Sequence, residues 1–406
     1  MSEIKKIPGS VCVSKGFRAN GIHCGIRKNH NKKDLSLIMS DTLCTAAAVY
    51  TTNAVKGAPL LVTKKHLADG TAHAVICNSG NANTCNADGV EIAEQTCTLL
   101  AKELNIEPKD VVVASTGVIG QPLNIKPISD GIPELVKGLC VDGKAAAEGI
   151  ITTDTHIKEA AVEFELDGKI CHLGGIAKGS GMIHPNMATM LVFITTDCSI
   201  SSDMLQKAVA CDVQKTFNML SVDGDTSTND MMVLLANGQA ENKTITKEDE
   251  DFTVFMRALN TVTIALCKML AGDGEGATKL IECVVSGAKT EDDAKAVAKS
   301  VICSSLLKSA IFGADANWGR VLCAIGYSKA DVDVAKIDVS FKSAAGTVAV
   351  CRNGAGIDFS EEIAKKILLE DEIVILIDLN CGNDTATAWG CDLTYDYVKI
   401  NGDYRT

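Results

Sequence analysis

The chain has 406 residues, too many for one simple core, and its 46% hydrophobic content is that of a globular protein built as two or three domains. Only 4% of it is aromatic, so the expected core is aliphatic and rich in alanine. A formal net charge of -12 argues against nucleic acid or an anionic membrane as the main partner.

The first residues, "MSEIKKIPGSVCVSKGF", contain no apolar h-region, so no signal peptide is expected. No uninterrupted apolar stretch approaches the ~20 residues that span a bilayer, and a cytoplasmic chain is expected. "HAVICNSGNAN" (73–83) is a short buried strand running into a Gly/Asn turn, and "EIAEQTCTLLAKEL" (91–104) has helical spacing. "DVVVASTGVIG" (110–120) is an apolar strand ending in a Ser-Thr-Gly loop. Val162, Phe164 and Leu166 alternate with Glu163 and Glu165 before Asp167-Gly168, the preferred two-residue hairpin turn.

Past the middle, a strand over 189–196 is followed by a helix near 202–218, with Ser201 or Ser202 as N-cap. "MMVLLAN" is a further strand. The segment from Glu248 to Gly272 reads as a long helix whose acidic first turn suits the helix dipole. "TKLIECVVSGA" is a strand. "TEDDAKAVAKSVICSSLLKSAI" reads as one helix, with Thr290 and Asp293 at capping-box spacing. Strands dominate after residue 336, around a helix near 360–369. Long helices mixed with strands, without regular βα alternation, point to an α+β layered sandwich.

Seventeen cysteines are spread over the chain, no two closer than eight residues, so no Cys-x-x-Cys motif exists. They read as small buried hydrophobes of a reducing compartment. All seven histidines and all seven prolines precede residue 189, so the second half works without an imidazole of its own.

Three motifs look suggestive and fail on context. "GDGEGA" (272–277) matches the dinucleotide fingerprint, which needs a strand before it and a helix after it. Here a helix precedes and a strand follows, so a glycine-rich turn is the better reading. "GLCVDGKA" (138–145) has Ala145 where a P-loop needs a hydroxyl. "DGDTSTND" (223–230) has Ca²⁺-loop spacing but lacks the Gly and the closing Glu, leaving a tight buried turn near a site.

"HPNMATML" (184–191) carries the candidate chemistry. Thr189 is either an ordinary strand residue or a nucleophile exposed by cutting Ala188–Thr189. A threonine hydroxyl needs a base, and a cut supplies one: an α-amine with a pKa of ~7.7–8.0. The same hydroxyl can make the cut by attacking the Ala188 carbonyl. Gly179 and Gly181 permit the unusual dihedrals this needs, and β-branching stiffens the Thr189 side chain. A tetrahedral intermediate needs an oxyanion hole, for which the Thr116 hydroxyl and the Gly117 N–H are candidates; as a bare motif, "STG" is only a turn. Lys178 stands eleven residues before Thr189, and alone reads as a surface lysine.

"GGIAKGSGMIHPNMATML" closely resembles the signature of the glutamate N-acetyltransferases of arginine biosynthesis, also called ornithine acetyltransferases. "ASTGVIG", "ITTDT", "SVDGDTSTND", "GDGEGATKL", "GADANWGR" and the terminal "YVKINGDYRT" resemble the same family's blocks, in the same order, from about residue 10 to the last residue. The resemblance implies self-cleavage at Ala188–Thr189 into an α piece (1–188) and a β piece (189–406) that assemble as an α2β2 heterotetramer. It implies Thr189 as nucleophile, Thr116 and Gly117 as the oxyanion hole, and Thr152, Lys178, Thr189, Glu275, Asn401 and Thr406 as substrate-binding residues. Acetyl would pass from N2-acetylornithine to glutamate without a metal or redox cofactor, with acetyl-CoA a second donor in bifunctional members. The implied fold is a layered α/β sandwich of mixed sheets flanked by helices, shared with self-processing aminopeptidases. The rivals are an N-terminal-nucleophile aminopeptidase or amidohydrolase of similar fold, and a nucleotide-binding module using residues 272–277.

Overall fold

A computed structural model of the chain describes residues 3–184 and 190–402. It divides into two units, one of residues 1–179, 186–217 and 226–266, the other of residues 180–185, 218–225 and 267–406. Their strands are, in chain order, β1 (Lys5–Ile7), β2 (Phe17–Ile22), β3 (Leu35–Tyr50), β4 (Thr71–Asn78), β5 (Val111–Ser115), β6 (Lys158–Leu166), β7 (Lys169–Lys178), β8 (Leu191–Thr196), β9 (Leu220–Ser221), β10 (Met231–Ala236), β11 (Leu280–Ala288), β12 (Asp338–Ser343), β13 (Gly346–Arg352), β14 (Ala355–Gly356), β15 (Glu372–Asp378) and β16 (Asp384–Cys391). The helices are α1 (Ala58–His66), α2 (Gly89–Leu104), α3 (Ile125–Lys137), α4 (Lys144–Ile150), α5 (Ser202–Val213), α6 (Glu250–Gly272), α7 (Glu291–Cys303), α8 (Ser305–Phe312), α9 (Trp318–Gly326), α10 (Glu361–Leu368) and α11 (Tyr395–Gly402).

The first unit is built on a sheet in the order β1-β6-β7-β8-β10-β3-β4-β5, with β2 also pairing β3. The sheet is mixed: β8 with β10 and β4 with β5 are parallel, the other pairs antiparallel. Both faces are buried, because successive side chains of β4 and β5 enter different cores. Ala74, Ile76, Val111 and Val113 pack with Ile92, Cys97 and Leu100 of α2 and Ile128, Ile132 and Leu135 of α3. Val75, Cys77, Val112 and Ala114 join Leu60 of α1, Ala147 and Ile150 of α4, and Phe193 and Val233 of the sheet. Cysteines such as Cys77, Cys97 and Cys283 serve as small core hydrophobes. The second unit's sheet runs β14-β13-β12-β15-β11-β16-β9 and is also mixed. Here too helices face strands, α7 against β11 and β16, and α10 against β12 and β13. These are the expected mixed sheets flanked by helices.

Local signals account for several elements. Asp167 and Gly168 both take left-handed φ, +51° and +70°, so a two-residue turn joins β6 to β7. Ser201 is the N-cap of α5, its hydroxyl accepting the Met204 N–H. That helix ends at Val213, short of the expected 218. Thr290 accepts the Asp293 N–H at 3.1 Å and opens α7 as expected. The expected single helix is nevertheless two: Ser304 is extended, with ψ 107°, and its hydroxyl accepts the Leu307 N–H to start α8. Residues 273–279 form the turn between α6 and β11, in the order that argues against a dinucleotide site.

Helix α6 departs from the reading of apolar run lengths. Its 23 residues are long and apolar enough to cross a membrane by composition alone. Glu250 and Asp251 open it, while Phe255, Leu259 and Val262 are buried in the first unit, Phe255 edge-on to Phe164 of β6 at 6.4 Å. It is a core helix.

Candidate active site

Strand ends bring the first unit's site residues together. Lys178 is the last residue of β7, and Thr116 and Gly117 follow β5 directly. The Lys178 Nζ donates to Thr116 Oγ1 at 3.3 Å, and Lys178 is only 9% exposed. It is a buried cation in a polar recess, where the bare motif suggested a surface lysine. Its neighbour across the next ladder is Leu191 of β8, two residues past Thr189 in the chain.

The Ser-Thr-Gly turn is fixed in detail. The Thr116 N–H donates to the Asn78 carbonyl at 2.9 Å. Gly117 has φ +126°, and a Cβ there would lie 2.9 Å from the Asn81 nitrogen, so no other residue fits. The Gly117 N–H has no acceptor among the described residues. Asn229 locks this turn from the side: its Nδ2 donates to Ser115 O at 2.9 Å and Ala82 O at 2.6 Å, while its Oδ1 accepts from Thr84 at 2.6 Å. The last residues of "DGDTSTND" are thus the tight buried turn expected near a site.

Asp154, unassigned from sequence, organises the rest. Its Oδ1 accepts the Gly179 N–H at 2.7 Å and the Lys158 ammonium at 2.6 Å, and its Oδ2 accepts the Thr152 N–H at 2.9 Å. One carboxylate therefore fixes the backbone at Thr152 and directly after Lys178. Burial alone would raise its pKa. The Lys158 and Lys178 charges, with these hydrogen bonds, instead hold it at about 2. Lys158 is itself fully buried, so the pair is a desolvated one. Asp230 precedes β10 and is also buried, with no hydrogen-bond partner for its Oδ2 among the described residues. Burial pushes its pKa well up, against the pull of Lys178.

The second unit places Glu275 and Asn401 together. Glu275 lies in the turn after α6 and is 7% exposed; Asn401 is in the last turn of α11, and its Nδ2 donates to Glu275 Oε2 at 2.8 Å. The Glu275 N–H donates to Ser180 O at 3.0 Å. Gly181 leaves room for the carboxylate, since a Cβ there would lie 2.3 Å from Glu275 Oε2. His184 lies 3.1 Å through Nδ1 from Ser221 Oγ. Burial, aided by the Lys299 charge, lowers its pKa to about 4, so the imidazole is neutral at pH 7. Ala188, Thr189 and Thr406 lie outside the described residues.

A threonine hydroxyl beside a glycine N–H at a strand end, next to a recessed ammonium, is equipment for handling an acyl group and its developing oxyanion. Mixed sheets flanked by helices carrying such a recess are compatible with an acyltransferase. Comparison with known proteins agrees. The model of the ArgJ family matches residues 18–406. Arginine biosynthesis bifunctional protein ArgJ 1 of Clostridium acetobutylicum is 53% identical over 392 residues, 96% of either chain. Arginine biosynthesis bifunctional protein ArgJ of Bacillus subtilis is 47% identical over 406 residues, covering 100% of this chain and 98% of that one. The crystal structure of the Bacillus halodurans protein of the same name is 49% identical, with a TM-score of 0.51, over 53% of this chain and 100% of that one. The chain belongs to the ArgJ family, the acyltransferases of arginine biosynthesis.

Proposed function

We propose that the chain moves acetyl from N2-acetyl-L-ornithine to L-glutamate, giving L-ornithine and N-acetyl-L-glutamate, after cutting itself between Ala188 and Thr189. In the cut, Thr189 Oγ attacks the Ala188 carbonyl, the C–N bond breaks and the hydroxyl proton passes to the departing amine. Water then hydrolyses the ester, leaving an Ala188 carboxylate and a free Thr189 amine. In the transfer, Thr189 Oγ attacks the acetyl carbonyl and its proton passes through that amine to the leaving nitrogen of ornithine. The amine of glutamate attacks the acetyl-threonine ester and restores the hydroxyl. Thr116 and Gly117 stabilise both oxyanions, Lys178 pairs with the substrate α-carboxylate, and Glu275 accepts ornithine's distal ammonium. Thr152, Asn401 and Thr406 orient the substrate.

The observation that carries this reading is the β7–β8 register. Lys178 pairs with Leu191, so the strand that follows Thr189 starts beside the ammonium that contacts Thr116. The same ladder joins the expected α piece to the β piece, which supports their staying together after the cut; two such αβ pairs are proposed to form the α2β2 assembly. The solved Bacillus halodurans chain, matched along its whole length, spans just over half of this chain, the share of the expected β piece. The enzyme is expected in the cytoplasm and needs no metal or redox cofactor; acetyl-CoA is proposed as its second donor.

A denaturing gel with N-terminal sequencing tests the cut: two bands, the smaller-numbered residues ending at Ala188 and the second piece starting at Thr189. Thr189→Ala should give one uncut band and no transfer. Glutamate added to acetylornithine should yield N-acetylglutamate; acetate instead would identify a hydrolase of the same fold.

A further inference from the structure

We infer that Asp223 is a positioning residue for the self-cleavage step, gripping the backbone just upstream of the bond that is cut. The inference rests on the self-cleavage reading. Asp223 Oδ2 accepts the Met182 N–H at 2.6 Å and its Oδ1 accepts the Ile183 N–H at 2.9 Å. Two successive N–H groups thus converge on one carboxylate, six and five residues before Ala188. The grip is two-sided, because the Ile183 carbonyl accepts the Val222 N–H at 2.7 Å and the Ser221 hydroxyl at 3.3 Å. The Asp225 N–H, at 3.2 Å from Oδ1, stiffens the gripping turn itself.

The conformation held there is one the sequence would not choose. Met182 has φ +57°, the left-handed region that L residues with a long side chain avoid. Its side chain is 43% exposed, so packing does not compensate for that conformation. The backbone bonds to Asp223 do. Past the cut, the Met190 carbonyl accepts the Met231 N–H at 2.9 Å and β8 begins. Attack by Oγ on the preceding carbonyl demands a narrow range of backbone geometry. Holding a strained residue near the bond restricts the chain toward that range.

The test is a cleavage time course on freshly made full-length chain, read on a denaturing gel, with the thermal midpoint as the measure of folding. Asp223→Asn keeps the size but loses the charge that two N–H groups require, and cleavage should slow about tenfold or more with a folded chain. Asp225→Asn, whose backbone rather than side chain meets Asp223, should cut at the wild-type rate. Replacing Met182 by Gly in the Asp223→Asn chain should restore much of the rate, because glycine takes the left-handed conformation unaided. A folded Asp223→Asn chain that cuts at the wild-type rate overturns the inference. If that chain is not recovered folded, Asp223→Glu replaces it with the same two outcomes. A wild-type chain that never cuts sinks the self-cleavage reading instead.

Discussion

Two buried carboxylates of the same unit, Asp154 and Asp212, have pKa values shifted in opposite directions. Asp154 lies among cations and keeps its charge, with a pKa near 2. Asp212, in α5, is 2% exposed and meets only neutral groups: it accepts from Asn260 Nδ2 at 3.1 Å and Thr216 Oγ1 at 3.1 Å. Burial pushes its pKa up to about 6, against those hydrogen bonds. At Asp212 the neutral donors only partly replace the lost solvation; at Asp154 the ammonium groups outweigh it. The fold supplies ammonium groups where Thr152, Thr116 and the residue after Lys178 must be held, and places none against Asp212.

Breaking the charged member should give the largest effect. Asp154→Ala takes the paired carboxylate from the buried Lys158 ammonium, a loss of about 3–5 kcal/mol by denaturant unfolding, together with loss of acetyl transfer. Adding Lys158→Met removes the buried charge that Asp154 balanced and should restore most of the stability. It should not restore activity, because the Thr152 and Gly179 N–H groups still lack their acceptor. An active double variant would show that Asp154 only balances Lys158.

Removing a neutral group at the same recess should separate chemistry from folding. Thr116→Val keeps the shape and the turn but deletes the hydroxyl that meets Lys178. The expected result is a kcat about 10²–10³ lower with an unchanged unfolding midpoint. Equal losses in both would demote Thr116 to a structural residue. Glu275 is a third buried acid, and its protein partner is the amide of Asn401 rather than a cation. Under the proposed function, ornithine's ammonium supplies the missing positive charge. Asn401→Ala should therefore raise KM for acetylornithine about tenfold, the worth of one charge-assisted hydrogen bond, and change kcat little. An unchanged KM removes Asn401 from the binding group.

The comparison also shows what a sequence displays and what it conceals. The hairpin at Asp167-Gly168, the cap at Thr290 and the turn after α6 were legible because their signals are local. Thr116, Gly117 and Lys178 were legible through strand-end motifs and family blocks. Asp154 was not, since it stands inside "ITTDT", and its partner Lys158 opens a strand, where i,i+4 spacing carries no expectation of contact. Strand β3 was missed for another reason. Its second half, "TAAAVY", has alanines that favour helix, and a register shift between Met39 and Cys44 interrupts the period-two pattern. Pairing with β4 and β10 decides its conformation. Ser304 splits one helical pattern into two because a serine hydroxyl can cap a new helix, which the periodicity on either side does not reveal.

The smallest expected effect comes from the neutral-partner acid, and its sign is opposite. A carboxyl whose folded pKa is depressed adds stability above its unfolded pKa, about 3.9, and loses it as pH falls. Asp154 should thus stabilise the chain above pH 4 and cease to do so between about pH 4 and 2. A carboxyl whose folded pKa is raised binds its proton more tightly when folded. Asp212 should therefore cost nothing below pH 4 and destabilise progressively as pH rises from about 4 to 6, holding that cost above. Asp212→Asn removes the cost while keeping an acceptor for Asn260 and offering a donor to the Thr216 hydroxyl. Its unfolding free energy should exceed the wild type's by on the order of 1–2 kcal/mol at pH 8 and match it near pH 4. A variant less stable than wild type at pH 8 would mean that the ionised Asp212 is satisfied by its neutral partners, and the contrast with Asp154 would fail at its root.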